Sequence, residues 1–153
     1  MFPTLIAVLL VCTGVAAGDM FCTAVGLAPL MRVQSYRTYV STVRFLQPRY
    51  DPAMPVINST ALLAGAAACV FAPSALARGL LAGAAVLVVA VIAVSVAKAV
   101  PINRFVLGLD PQAEPADWRA VDPRAAWRRW HLVRTAAMTG ALALDAGAVA
   151  SLL

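Results

Sequence analysis

Charge is what this chain has least of: 12% of its 153 residues are Asp, Glu, Lys or Arg, where a soluble domain averages about a quarter. That shortage excludes a solvated globular domain, and with it a basic folded surface that would read nucleic acid. Aromatic residues are also few, at 7%. A single histidine and three cysteines without a C-x-x-C pair leave too few ligands for a conventional metal site or a disulfide framework. Cys12, Cys22 and Cys69 all lie in apolar runs and read as packing residues. Glycine-rich phosphate loops, H-E-x-x-H and serine nucleophile elbows are missing as well.

What the chain has instead is apolar length, 62% of its residues being hydrophobic. A helix crosses a hydrocarbon core with about 20 apolar residues, and four stretches reach that length: 2–31, 56–77, 79–102 and 131–153. The expected fold is all-α, a four-transmembrane-helix bundle forming one integral membrane domain over residues 1–153. The first stretch is longer than a signal-peptide core and no Lys or Arg precedes it, so it reads as a retained span.

The basic residues are unevenly placed. Arg32, Arg37, Arg44 and Arg49 follow the first span, and Arg104, Arg119, Arg124, Arg128 and Arg129 precede the fourth, whereas the middle connection has Arg78 alone. By the positive-inside rule the two basic connections are cytoplasmic and both termini lie outside a cell membrane crossed several times. The net charge of +5 then sits on a face that attracts anionic lipid headgroups.

Local signals refine this outline. Val33, Tyr36, Val40, Val43 and Leu46 recur at helical spacing, which predicts a cytoplasmic or interfacial amphipathic helix after the first span, either extending that span or lying apart from it. Pro48 should stop it, and Asp51-Pro52 should cap and start the next helix, as Asp122-Pro123 should the last. Small residues, among them Ala61, Gly65, Cys69, Ala72 and the Gly79/Gly83 pair, predict close helix contact within the bundle or across a homodimer face.

Polar residues inside apolar spans carry the functional signal, since an acid at midplane costs about 2.5 to 3.5 kcal/mol on the insertion scale. Asp19 and Asp145 each lie roughly 17 Å from the presumed cytoplasmic ends of their spans, at 1.5 Å per residue. They are thus expected to be level, either sharing a proton or each bonded singly to backbone or hydroxyl groups. A second group gathers near the cytoplasmic boundary: Asn58, Lys98, Asn103, His131 and Arg134, with Trp127 and Trp130 beside them. Trp127, His131, Arg134, Met138 and Asp145 share one helical face. Snorkelling and an aromatic belt explain part of the pattern, with Trp118 included. A histidine next to cations and amides also suits proton transfer with stabilisation of an oxyanion. Asn58-Ser59-Thr60 matches a glycosylation acceptor but falls on the cytoplasmic side.

Val100-Pro101-Ile102-Asn103 closing one span, Trp127-Arg128-Arg129-Trp130-His131-Leu132-Val133-Arg134-Thr135 opening the last, and Gly26-Leu27-Ala28-Pro29 near the end of the first resemble the anthrone oxygenase-like family of small four-span membrane proteins. The resemblance implies oxidation of a hydrophobic polycyclic anthrone by O2 without flavin, haem or a tightly held metal. It casts His131 as the base, with Arg134 and Asn103 or Lys98 holding the oxyanion. Asn58, Trp127, Trp130, Asp145 and Asp19 are the residues expected to line the substrate site. Two other readings compete with it: a non-enzymatic accessory or scaffold protein, and a small proton-coupled carrier using Asp19 and Asp145.

Overall fold

The structure is a computed structural model that describes all 153 residues. It is all-helical, and four helices are long and apolar enough to span a membrane: α1 (Phe2–Val33), α2 (Tyr36–Phe71), α3 (Ala75–Leu107) and, after the short α4 (Trp118–Val121), α5 (Arg124–Ala150). They run up, down, up and down, which leaves both chain termini and the α2–α3 turn at one end of the bundle. The other end, the loop end, holds the remaining connections.

The helices differ from the expected spans in ways with physical causes. The amphipathic segment after the first span is neither an extension of α1 nor a separate piece but the first third of α2. Gln34 turns extended at the end of α1, and the Ser35 side chain accepts from the Thr38 N–H to start α2. Pro48 does not stop this helix, which runs 36 residues through Pro48, Pro52 and Pro55. These prolines fall at i, i+4 and i+7 and all are exposed, so the carbonyls they leave without donors collect on one outer stripe rather than inside the bundle. Asp51 consequently sits inside a helix instead of capping one. The turn between the middle spans is Ala72–Ser74: the Ser74 hydroxyl accepts from the Ala77 N–H, and Arg78, already in the first turn of α3, donates to the Ala72 carbonyl. At the last helix Pro123 is the cap and Arg124 the first helical residue, with the Asp122 carboxylate accepting the Arg124 N–H.

Two turns of the bundle are widened to π-helix, Thr23–Leu27 in α1 and Ser95–Ala99 in α3. The cause is the same in both. A proline lacks the N–H that an α-helix needs, and in each case the residue just before it, Ala28 ahead of Pro29 and Val100 ahead of Pro101, donates to the carbonyl five residues back.

Toward the terminal end the helices pack through small residues. Ala61, Ala64, Ala68, Ala72 and Ala77 are buried against Ile6, Leu9 and Leu81. A Cβ on Gly83 would stand 3.3 Å from Leu144, and one on Gly140 would stand 3.3 Å from Leu87, so these glycines admit a leucine from the facing helix. Gly79, the other half of the G-x-x-x-G, faces open space and takes no part in the bundle contact. The loop end is fastened differently, by Tyr36, Tyr39, Val40, Val106 and Trp118. Arg124 there donates to the carbonyls of Met31 and Gln34, pairs with Asp122 at 2.6 Å, and lies over the rings of Tyr39 and Trp118.

Candidate functional site

Between the packed terminal end and the tied loop end, the four long helices diverge around a cavity of about 260 Å³. Its walls are mainly apolar, from Met20, Leu27 and Met31 of α1, Val43, Leu46 and Met54 of α2, and Ile92 and Val100 of α3. Both π-turns contribute, through Thr23 and Leu27 on one side and Ser95, Val96 and Ala99 on the other. Widening a helix turn shifts every later side chain around the axis, and here the shift lies where the helices part.

Polar groups enter this apolar space from α5. The His131 ring, 4% exposed, places Nε2 at 2.9 Å from the Met20 carbonyl and Nδ1 at 3.0 Å from Arg134 Nη2. A carbonyl only accepts, so Nε2 carries the hydrogen and Nδ1 is the acceptor of a neutral imidazole whose second bond comes from the guanidinium. The ring stacks on Trp127, centroids 4.9 Å apart and planes 6° from parallel, and the Trp127 indole donates to Asn103 Oδ1 at 3.0 Å. Thr135 binds the carbonyls of both His131 and Met20.

Arg134 is held from two directions. Its Nη1 donates to Ser95 Oγ at 3.0 Å, and that hydroxyl in turn donates to the Val91 carbonyl. Its Nε is buried and unpartnered. The ion pair of the molecule is Arg124–Asp122, so Arg134 has only neutral partners within contact. Asp19 lines the same cavity from α1 without pairing with Arg134, and Tyr50 lines it from α2. Asn58, 7% exposed, has an unpartnered Oδ1 on the α2 wall. Its burial also removes it as a glycan acceptor.

The structure therefore brings Asp19, Asn58, Asn103, Trp127, His131 and Arg134 to one cavity. It does not bring Lys98, Trp130 or Asp145 there. Lys98 is exposed, with its ammonium 5.3 Å from the Trp130 ring, which is an interfacial arrangement. Asp145 is 1% exposed near Thr13, both carboxyl oxygens lack a partner, and Thr13 gives its hydroxyl to the Leu9 carbonyl. The expected levelling of the two acids fails for a definite reason: Arg134 is not at the loop end of its span but level with Met20, as the His131 bond shows. Asp145, eleven residues further on, lies roughly 16 Å deeper at 1.5 Å per residue.

Sequence reasoning missed Ser95, Tyr50 and the Met20 carbonyl. Tyr50 carries a signal, since Tyr50, Met54 and Asn58 share one helical face, but that face exists only because the helix continues through Pro48 and Pro52. No three of His, Cys, Asp and Glu converge anywhere in the fold.

With this geometry in view, comparison with known proteins places residues 48–144 in a match to the family described as anthrone oxygenase. That segment runs from Pro48 of α2 through the Asp145-proximal part of α5 and carries three of the four cavity walls. No curated protein and no solved structure matches the chain.

Proposed function

The chain belongs to the anthrone oxygenase family, and from that premise we propose that it is a membrane-embedded oxygenase converting a flat, lipophilic aromatic ketone of the anthrone class to a quinone with O2. The overall change balances as anthrone plus O2 giving anthraquinone plus water. The observation that carries this reading is Arg134, a half-buried guanidinium without a carboxylate partner whose buried Nε has no protein acceptor, lining a mainly apolar cavity. A buried charge held only by neutral groups is costly, and an anionic oxygen bound there offsets the cost.

The substrate's reactive carbon is flanked by two aromatic rings and conjugated to a ketone, so losing its proton places negative charge on the ketone oxygen. Arg134 is held by Ser95 and His131 before that charge appears, which makes it a preorganised oxyanion partner. The Asn103 amide, fixed through Trp127, lines the same cavity from α3 and supplies a further polar contact. The apolar residues accept the rings and dissolve O2.

Orientation and access follow the same reading. The loop end, with Arg32, Arg37, Arg44, Arg49 and the residues around Arg119 to Arg129, is cytoplasmic and rests against anionic headgroups, and both termini lie outside. The cavity rim is made of the exposed residues Asp51, Pro55, Ser59 and Val96, so a substrate partitioned into the bilayer enters between α2 and α3. A carrier shuttling protons between Asp19 and Asp145 has less support, because the two acids are at different depths.

The test is O2 uptake and anthraquinone formation by membranes or purified protein given an anthrone. Arg134→Gln is expected to lose most of the rate while the protein remains folded. Wild-type protein that consumes no O2 above the spontaneous rate rejects the oxygenase reading and favours a scaffold, and Arg134→Gln protein that matches an active wild type rejects Arg134 as the oxyanion partner.

A further inference from the structure

Removing a proton from carbon requires a base with a free lone pair on the cavity wall, and His131 does not present one. Its Nε2 hydrogen is committed to the Met20 carbonyl and its Nδ1 lone pair to Arg134. Taking a proton would break the second bond and set an imidazolium against a guanidinium at 3.0 Å in an apolar interior, two like charges in contact. Asp51 is exposed at the rim and bound by Gln47.

Asp19 is different. It is half-buried on the α1 wall, one residue from the Met20 carbonyl that anchors His131, and it is paired with no cation. Tyr50 and Arg134 line the same cavity, so the one cation of its lining lies in the space Asp19 borders.

We propose that Asp19 is the base for this reaction, taking the proton from the substrate's acidic carbon while Arg134 receives the oxygen on which the electron pair settles. The proposal rests on the oxygenase reading. The C–H bond breaks, an O–H bond forms on the Asp19 carboxyl, and the electron pair moves through the ring to the ketone oxygen. One negative charge thereby passes from the carboxylate to the substrate, so no net charge is created in the apolar cavity. O2, the oxidant of the proposed reaction, then adds at the carbon as that centre is oxidised. Asp19 returns the proton to the distal oxygen, and loss of water from the resulting hydroperoxide leaves the quinone. His131 becomes a positioning residue that fixes Arg134.

Exchange of the substrate's methylene hydrogens isolates the proton step from the oxidation. Anthrone is incubated anaerobically in D2O with protein, and deuterium entry above the spontaneous rate is measured by mass spectrometry, alongside aerobic O2 uptake. Asp19→Asn is expected to lower protein-dependent exchange by about 10² to 10⁴-fold, the usual worth of a positioned base. Asp19→Glu should recover part of it, and acetate should rescue Asp19→Ala, whereas His131→Gln should exchange faster than Asp19→Asn. Wild-type exchange by Asp19→Asn, or exchange abolished by His131→Gln but not by Asp19→Asn, overturns the proposal and leaves the oxygenase reading intact. Should Asp19→Asn fail to fold, absence of acetate rescue in folded Asp19→Ala overturns it equally. Wild-type protein showing neither exchange nor O2 uptake defeats the parent reading instead.

Discussion

Arg124 and Arg134 stand on one helix, ten residues apart, and their surroundings are opposites. Arg124 is saturated: a carboxylate, three backbone carbonyls at the end of α1 and two aromatic rings take up its charge and its donors. Arg134 has a hydroxyl, an imidazole nitrogen and an unpartnered Nε, and no carboxylate pairs with it. The difference teaches where to look for function in an apolar protein. A guanidinium whose partners all come from its own chain closes the fold, while one left short of partners awaits something from outside.

The widest separation should come from removing each charge in turn. Arg134→Met is expected to reduce anthraquinone formation by about 10² to 10³-fold, the range for losing one preorganised oxyanion donor. Its thermal midpoint should hold or rise, because a half-buried charge without a carboxylate partner has been removed. Arg124→Met should do the reverse in a denaturation measurement, losing about 2 kcal/mol as Asp122 and the α1 carbonyls lose their partner, since the pair is only partly screened from solvent. Arg124→Lys should not restore it, because a single ammonium cannot copy the guanidinium fork. If both arginines behaved alike in both assays, the distinction between them would collapse.

Asp145 extends the comparison to acids. It shares full burial and unpartnered oxygens with the kind of group that usually marks a site, yet it lies outside the cavity. Asp145→Leu is expected to stabilise the protein by about 1 to 2 kcal/mol through loss of an unsatisfied polar group, with O2 uptake unchanged. A fall in O2 uptake would tie Asp145 to the cavity and sink this assignment. The smallest contrast is between the two glycines of the G-x-x-x-G. Gly83→Ala should cost up to about 1 kcal/mol as Leu144 gives way, and Gly79→Ala should be neutral or slightly stabilising in the same thermal assay. Equal losses at both would mean that Gly79 also carries a helix contact.

Much of the candidate site was legible before the fold. Trp127, His131 and Arg134 at i, i+4 and i+7 point one way on any α-helix, and that relation survives in the stacked ring and the His131–Arg134 bond. Depth was less legible. Counting residues needs a known span end, and Arg134 does not mark one, because its segment is level with Met20 and Asp145 is deeper still. Tyr50 and the length of α2 were lost to a local rule about proline, which holds for a lone buried position and fails when three prolines share an outer stripe.

Four apolar lengths, the basic loops and the shared face of α5 follow from the order of residues alone, because hydropathy and helical periodicity are properties of a single segment. Which arginine is neutralised, which acid faces the cavity and which histidine nitrogen holds the proton were decided only by packing. Each of those depends on atoms far apart in the chain: a Met20 carbonyl, a Ser95 hydroxyl, or the absence of any carboxylate beside Arg134. Electrostatic state is a property of the neighbourhood, and in this bundle the neighbourhood exists only once four helices have closed around the cavity.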